Sequence, residues 1–156
     1  MFLETEHGQI RIRQAAAEDL DLVAPLFDAY RQFYKQPSDL DLARTFLRDR
    51  IRHNESVIFV ALDPNGSALG FTQLYPSFSS GLARRIFIMN DLFVAPEARR
   101  RHVGRGLLDA AAAFARLAGA ARLTLSTALD NFTAQSLYKS AGWKRDTVFC
   151  VYTLPL

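Results

Sequence analysis

The sequence predicts an α/β (α+β) fold with a mixed, largely antiparallel central sheet of six to seven strands, flanked by about four helices. Two observations predict it. Three apolar runs joined by short turns in the middle of the chain are typical of an antiparallel meander. Apolar strands then alternate with helical segments, which indicates βαβ units added to the same sheet. The 156 residues suffice for a buried core, and we expect residues 1–156 to form a single domain.

The first half of the chain contains one predicted strand and two predicted helices. Residues 9–14 alternate apolar and polar side chains, as a half-buried strand does. Apolar and aromatic residues then recur at the spacing of one helix face: Leu20, Val23, Phe27, Tyr30 and Tyr34. Pro37 interrupts this pattern, and Ser38 is placed to cap a second helix over about residues 40–51.

The second half changes from helical to strand periodicity and back. Two strands, residues 57–62 and 68–75, flank the turn DPNG as a predicted hairpin, and residues 85–94 form a longer strand. An alanine-rich helix with one apolar face then ends at Gly119. The remaining predicted elements follow in order: a strand at 123–127, a helix at about 133–140 capped by Asn131, and a last strand at 147–154.

The composition is typical of a cytoplasmic protein. No run approaches the roughly 18–20 apolar residues of a membrane helix, so we expect no membrane partner. The N-terminal residues lack the basic and apolar regions of a secretory signal. Cys150 is the only cysteine, which fits a reducing compartment. Residues 84–122 carry eight arginines against three carboxylates, which indicates either a site for an anionic partner or a solvated basic face.

The segment DLFVAPEARRRHVGRGLL, residues 91–108, carries most of the functional information. It joins a central strand to a helix and contains four arginines and two glycines: Arg99, Arg100, Arg101, Arg105, Gly104 and Gly106. A helix N-terminus offers unpaired N–H groups, glycine permits close backbone approach, and arginine matches phosphate oxygens. The segment therefore predicts a phosphate cradle. It contains neither a Walker loop nor the dinucleotide fingerprint G-x-G-x-x-G.

A second motif lies further along the chain, in DNFTAQSLYKSAGW. It contains Asn131, Ala134, Tyr138, Gly142 and Trp143 at the spacing Asn-x-x-Ala-x-x-x-Tyr-x-x-x-Gly-Trp. Together the two segments resemble the GCN5-related N-acetyltransferase superfamily, whose first signature is Arg/Gln-x-x-Gly-x-Gly/Ala after an apolar strand end and a proline. The close resemblance covers about residues 86–143. It implies the acyl-CoA N-acyltransferase fold, acetyl-CoA as co-substrate and no metal.

The first signature fits the chain in two registers. Counting from Arg101 gives a match that ends Gly104-Arg105-Gly106. Counting from Pro96 starts the signature at Arg99 and places His102 where the family usually has its first glycine. A histidine resists positive φ, so the second register puts the geometry of the turn in question. His102 then either faces a phosphate or is a tolerated loop residue.

The resemblance implies a role for each motif residue. Backbone groups of Leu92 and Val94 would bind the pantetheine arm and the acetyl carbonyl, and Tyr138 would protonate the leaving thiolate. Tyr138 could instead be a core tyrosine, and Asn131 could cap a helix without touching the cofactor. The residues expected at acetyl-CoA are Leu92, Phe93, Val94, Arg99, Arg100, Arg101, His102, Val103, Gly104, Arg105, Gly106, Asn131 and Tyr138.

The attacking amine must lose a proton, which requires a base or a water relay. Asp91 and Asn90 are the nearest polar residues on the central strand, and Asn90 cannot act as a base. The base is therefore Asp91, a water chain or a carboxylate of the N-terminal helices. Tyr30 and Tyr34, with Asn90, are candidate acceptor-binding residues, because aromatic faces beside carboxylates suit an alkylammonium. The two tyrosines could equally belong to the core.

These motifs favour an acetyltransferase that acts on a small-molecule or protein amine. Two other classes remain open: a cofactor-binding regulator without catalysis, and a basic nucleic-acid-binding module. No aromatic residues interleave with the arginines, so we expect no nucleic-acid partner. A homodimer is implied only by the resemblance. The identity of the amine cannot be read from the residues.

Overall fold

The computed structural model describes residues 1–5 and 8–156, which form two compact units, Met1–Ser126 and Thr127–Leu156. In the first unit, the described strands form one sheet and lie side by side in chain order. The strands are β1 (Phe2–Thr5), β2 (Gly8–Gln14), β3 (Val57–Leu62), β4 (Ala68–Ser79), β5 (Arg84–Val94) and β6 (Leu123–Thr124). Neighbours from β1 to β5 are antiparallel, and β6 is parallel to β5. The predicted mixed, largely antiparallel sheet is confirmed.

The described residues also form four α-helices, as predicted. They are α1 (Leu20–Phe33), α2 (Leu40–Arg52), α3 (Val103–Leu117) and α4 (Phe132–Ser140). Gly119 follows α3 with a φ of 69°, and the Asn131 side chain caps α4 by accepting from the Ala134 N–H. The predicted cap of α2 is wrong. Asp39 accepts from the Leu42 N–H, while the Ser38 hydroxyl donates to Asp28 at 2.6 Å.

The helices of the first unit cover both faces of the sheet. On one face, Phe27 and Tyr30 of α1 make edge contacts with Phe71 of β4. On the other face, Phe114 of α3 packs against Phe59 of β3, at 5.8 Å between ring centroids. Side chains alternate between the faces of a strand, so each residue of β4 and β5 contacts one helical layer only. This alternation decides which polar groups can lie together.

The strand predictions need correction at both ends of the chain. Of the six strands specified from the sequence, five form, β2 to β6. The remaining described strand of the sheet, β1, was not specified from the sequence. The predicted strand at 147–154 is absent, and β6 spans two residues rather than five. Phe149 and Tyr152 are 80 % and 93 % exposed. An apolar run favours a buried strand, but a strand also needs a neighbour to pair with.

Two irregularities shape the C-terminal half of β5. Gln73 pairs with Asp91 but Leu74 pairs with Met89, so Asn90 is an extra residue and forms a β-bulge. On the opposite side, β5 pairs with β6 only at Phe87 and Ile88. Residues 89–94 of β5 therefore extend beyond β6, and this stretch is called the open edge below.

Within residues 1–5 and 8–156, no helix is both long and apolar enough to cross a membrane.

Candidate active site

The open edge presents backbone hydrogen-bonding groups away from β4. The Ala95 N–H donates to the Leu69 carbonyl at 2.9 Å. In an antiparallel pair, alternate residues bond the same neighbour, so Phe93 also bonds toward β4 whereas Leu92 and Val94 point their N–H and C=O groups the other way. These are the two residues expected to bind a pantetheine arm. The Phe93 side chain is buried, so only its backbone can serve a ligand.

The arginine turn, residues 99–105, leads from the open edge into α3. A short 3-10 turn (Pro96–Ala98) follows β5, and His102 precedes α3 with φ 60° and ψ 8°. The Gly106 N–H bonds to the His102 carbonyl at 3.0 Å and begins the helical ladder. The N–H groups of residues 103–105 precede that bond, and the first helical turn contains no acidic residue. The predicted helix N-terminus beside the arginines is present.

The backbone conformation of His102 shows how a histidine is accommodated where one register of the signature has a glycine. His102 adopts the left-handed conformation at the position where the register counted from Pro96 has a glycine. The turn is thus kept with a histidine, at a conformational cost of about 1 kcal/mol or more. The His102 side chain is exposed, and Val103 behind it is buried and anchors α3.

The arginines of this turn differ in the hydrogen bonds that their side chains already make to other protein groups. Arg99 and Arg100 are exposed, and Arg99 donates to the Val94 carbonyl at 3.4 Å. Arg105 bonds both oxygens of Asp109 at 3.1 Å. The Nε atom of Arg101 is buried, and no acceptor among the described protein groups reaches it. A buried guanidinium N–H without an acceptor fits an anion, so the turn fits the pyrophosphate of a CoA.

Gly70 lets β4 approach the end of β5 closely. An added Cβ there would lie 2.6 Å from the Phe93 carbonyl oxygen and 3.2 Å from the Val94 Cα. Backbone atoms cannot move aside as a flexible side chain can. Leu107 of α3 also lies 3.4 Å from that position. A larger residue would therefore displace the open edge or α3.

A buried polar group, the Asp91 cluster, occupies the opposite face of the sheet beside α1. It consists of Tyr30, Gln73, Tyr75, Asn90 and Asp91. Asp91 is 1 % exposed and accepts from Gln73 Nε2 at 2.5 Å and from Asn90 Nδ2 at 2.9 Å. Gln73 Nε2 also donates to the Tyr75 hydroxyl at 3.1 Å, and the Tyr30 hydroxyl donates to the main-chain carbonyl of Asn90 at 3.2 Å.

Burial controls the protonation of the Asp91 cluster. It raises the pKa of Asp91 above its usual value, and hydrogen bonds from Gln73 and Asn90 partly oppose this rise. Burial and the Asp91 charge also raise the pKa values of Tyr30 and Tyr75. Both tyrosines therefore stay neutral at physiological pH and act as hydrogen-bonding groups. Asp91 is the member of the cluster whose pKa burial moves toward neutral pH.

The other predicted acceptor residues divide between core and surface. Tyr30 is half-buried and its ring centroid lies 5.0 Å from that of Tyr34, which is 44 % exposed. Asp28 is engaged structurally, because hydrogen bonds from Ser38 and the Asp39 N–H lower its pKa. Asp28 joins α1 to the start of α2 and is therefore a poor alternative to Asp91 as the base.

Sequence reasoning missed Gln73 and Tyr75. Thr72 and Gln73 are two polar residues inside an otherwise apolar strand. Polar residues usually face solvent, yet both of these are 0 % exposed. The available signal was two successive polar residues inside a strand whose flanking residues, Phe71 and Leu74, are strongly apolar. Such a pair must place at least one polar side chain in the interior when both faces are covered.

The second unit carries the other motif. Tyr138 lies on α4, is half-buried, and has its ring centroid 6.1 Å from that of Trp143. Asn131 performs the predicted capping of α4. None of the α4 residues is buried.

Comparison with known proteins identifies the family. The sequence profile of the Acetyltransferase (GNAT) family matches residues 23–143. The chain is 50 % identical over 145 residues to YhfO, an uncharacterized N-acetyltransferase of Bacillus subtilis, with 93 % of this chain and 97 % of the relative covered. A probable acetyltransferase of Haemophilus influenzae is 33 % identical, with 86 % of this chain and 90 % of the relative covered.

The fold agrees with the sequence match. A crystal structure of a probable acetyltransferase superposes with a TM-score of 0.89 at 49 % identity, over 94 % of this chain and 97 % of that one. The resemblance seen in the two motifs is therefore confirmed over nearly the whole chain. The chain belongs to the GNAT family and is an acyl-CoA-dependent N-acetyltransferase.

Proposed function

We propose that the chain transfers an acetyl group from acetyl-CoA to a primary amine by direct attack in a ternary complex. The observation that carries this proposal is the open edge of β5, which leads directly into the arginine turn at the start of α3. Backbone donors, arginines and a helix N-terminus follow one another along 17 residues, from Met89 to Arg105. This order suits a ligand with a polar arm and a pyrophosphate.

The donor half of the reaction uses backbone groups. Acetyl-CoA supplies an activated thioester carbonyl. The Leu92 and Val94 backbone would bind the arm and polarise that carbonyl, as an oxyanion hole does. Arg101 and the N–H groups of residues 103–105 would hold the pyrophosphate, and Arg99 and Arg100 would screen its charge at the surface. Holding both reactants together supplies much of the rate.

The acceptor half uses Asp91. The amine nitrogen transfers a proton to the Asp91 carboxylate, and its lone pair then forms the C–N bond as the C–S bond breaks. Burial raises the pKa of Asp91, which brings the carboxylate closer to the range of a general base. Activity therefore falls as the pH drops through this raised value. Tyr30, Tyr34 and Asn90 would line the approach of the amine, which belongs to a small molecule or a protein.

We assign protonation of the departing thiolate to Tyr138. The assignment rests on the motif from Asn131 to Trp143 and on the half-buried position of Tyr138 on α4. We also propose that both units act as one acetyltransferase domain, since the family profile runs from residue 23 to residue 143 across them. A homodimer and a cytoplasmic location remain predictions.

The experiment is an acetylation screen of the purified chain. Acetyl-CoA is offered with a broad panel of primary amines, and release of the CoA thiol is followed. We expect turnover with at least one amine and a loss of about 10-fold or more for Tyr138→Phe, because a positioned acid contributes at least that much. Tyr152→Phe is the matched control, since Tyr152 is 93 % exposed.

Acetyl-CoA binding without turnover of any amine would contradict the proposal and favour a regulator. Absence of acetyl-CoA binding, with binding to nucleic acid that weakens steeply with salt, would favour a basic module instead.

A further inference from the structure

Gln73 has a buried polar atom that the protein does not satisfy. The residue is 0 % exposed, and its Nε2 hydrogens go to the Asp91 carboxylate and the Tyr75 hydroxyl. Its Oε1 atom is buried, and none of the described protein groups donates to it. Flipping the amide would place this oxygen against the Asp91 carboxylate, so its orientation is determined by its neighbours. Buried carbonyls without a donor are rare and call for a functional explanation.

The Asp91 carboxylate, which accepts from Gln73, also lacks a cationic partner among the described residues. No ion pair of Asp91 occurs within the part of the chain that the structure describes. Arg50 of α2 acts electrostatically on Tyr75, but its guanidinium pairs with Glu55 at 2.5 Å and lies over the Phe46 ring. A buried carboxylate is costly unless a cation compensates it. The cluster thus lacks one positive charge and one hydrogen-bond donor.

The titratable neighbours do not supply that charge. Tyr30 faces Asp91 from α1, Tyr75 from β4, and the neutral amides of Gln73 and Asn90 from β4 and β5. Both tyrosines are neutral, half-buried and close enough to Asp91 for its charge to act on them. Aromatic faces beside an anion favour an alkylammonium ion, which carries both a positive charge and up to three N–H donors.

We propose that Asp91 and the Gln73 side-chain carbonyl together bind the ammonium group of an unhindered primary alkylamine. This inference rests on the proposed function and names the acceptor class for the same site. One ammonium N–H bonds to Asp91 and a second to Gln73 Oε1. Gln73 is a positioning residue, because it also holds the carboxylate that takes the proton. Each methyl group added to the nitrogen removes a donor, so secondary and tertiary amines are discriminated against.

The test compares Gln73→Met with Thr72→Val. Both replace a fully buried polar side chain on β4, but Thr72 points to the α3 face and its hydroxyl donates to the Asp91 main-chain carbonyl. Thermal unfolding records the stability loss of each variant. The readouts are the KM for propylamine, the acid limb of the pH profile, and the pKa of the Asp91 carboxyl followed by its ¹³C shift.

For Gln73→Met we expect the KM for propylamine to rise about 10-fold or more, because a desolvated ammonium loses an acceptor. The acid limb should move to higher pH, since the Gln73 hydrogen bond lowers the pKa of Asp91. Thr72→Val should leave both readouts near wild type even where its stability falls. If Gln73→Met loses only stability, with KM and acid limb unchanged, the proposal is wrong.

The NMR titration separates this inference from the proposed function. Propylammonium chloride should lower the pKa of Asp91 in the wild type and not in Gln73→Met, whereas tetramethylammonium chloride and propanol should not lower it. If no amine is acetylated but propylammonium still produces this shift, the ammonium site stands and the proposed reaction fails. If amines are acetylated but propylammonium and tetramethylammonium act alike on Asp91, the site assignment fails.

Discussion

The two faces of β5 contribute to the candidate site in different ways. Toward α3, the open edge and the arginine turn are made of backbone groups and of residues contiguous in sequence, from Met89 to Arg105. Toward α1, the Asp91 cluster is made of side chains from α1, β4 and β5 that are up to 61 positions apart, from Tyr30 to Asp91. The first arrangement suits a ligand common to a family, and the second can vary from one member to another.

The largest expected effect concerns the Asp91 cluster. Asp91→Asn should lower kcat/KM for an amine by about 100- to 10,000-fold, because the proposed general base is lost while the shape of the side chain is kept. Acetyl-CoA binding should be unchanged, because the carboxylate lies on the α1 face. Steady-state kinetics and calorimetry on the same preparation check both statements. An equal loss of acetyl-CoA affinity would mean that the two halves of the site are not separate.

The pH dependence of stability tests whether the pKa of Asp91 is raised in the folded chain. Burial raises the pKa of Asp91 in the folded chain above 3.8, its value in the unfolded chain. Below pH 3.8 the protonated Asp91 therefore contributes its full stabilisation, and this stabilisation is lost as the pH rises through the folded pKa. The wild type should therefore gain stability relative to Asp91→Asn as the pH falls toward that value. Thermal unfolding of both proteins from neutral to acid pH measures this difference. A wild type that loses stability relative to the variant on acidification would contradict the raised pKa.

A smaller effect is expected where β4 meets the open edge. Gly70→Ala should destabilise the fold by about 1–3 kcal/mol, because the new methyl group overlaps the Phe93 carbonyl. Gly81→Ala is the matched control, since nothing lies within 4 Å of an added Cβ there. Chemical denaturation of both variants gives the comparison. Equal stabilities would show that the open edge tolerates displacement.

The smallest effect is expected at the arginine turn. His102→Gly should change stability by about 0–1 kcal/mol in the stabilising direction, because relief of the left-handed strain exceeds the added freedom of the unfolded chain. His53→Gly is the control: His53 follows α2 at φ −96°, so glycine there should destabilise. Thermal unfolding of the pair checks the sign. A stabilised His53→Gly, or a destabilised His102→Gly, would exclude this explanation of the turn.

The fold was predictable where local pattern and pairing partners agree. Strands β2 to β5 and the helices α1 to α3 follow from periodicity, because each has a buried face that its neighbours cover. The last predicted strand, residues 147–154, shows where this fails: its continuous apolar run is typical of a strand, but Val148, Phe149 and Val151 are 80 % or more exposed. The local hydrophobic pattern favours a strand, whereas strand pairing depends on chain segments that lie elsewhere in the sequence.

The candidate site was predictable to the same degree. Arg101 and Gly104 could be read as a phosphate cradle, because the chemistry lies in one short segment on a helix N-terminus. Asp91 could be suggested from its place on the central strand. Gln73 and Tyr75 could not, because their contact with Asp91 depends on strand register and on the bulge at Asn90, which a single strand sequence does not reveal.

The most direct test of the central claim is acetyl-CoA binding by calorimetry in phosphate-free buffer at a stated salt concentration. The wild type should bind at micromolar affinity, and Arg101→Ala and Gly104→Asp should each weaken binding by about 10-fold or more, because they remove or oppose a charge-assisted contact to phosphate. Arg116→Ala, an exposed arginine at the other end of α3, should stay within about twofold of wild type. Equal affinities for all four proteins, or no binding by any of them, would contradict the assignment of the arginine turn to the pyrophosphate.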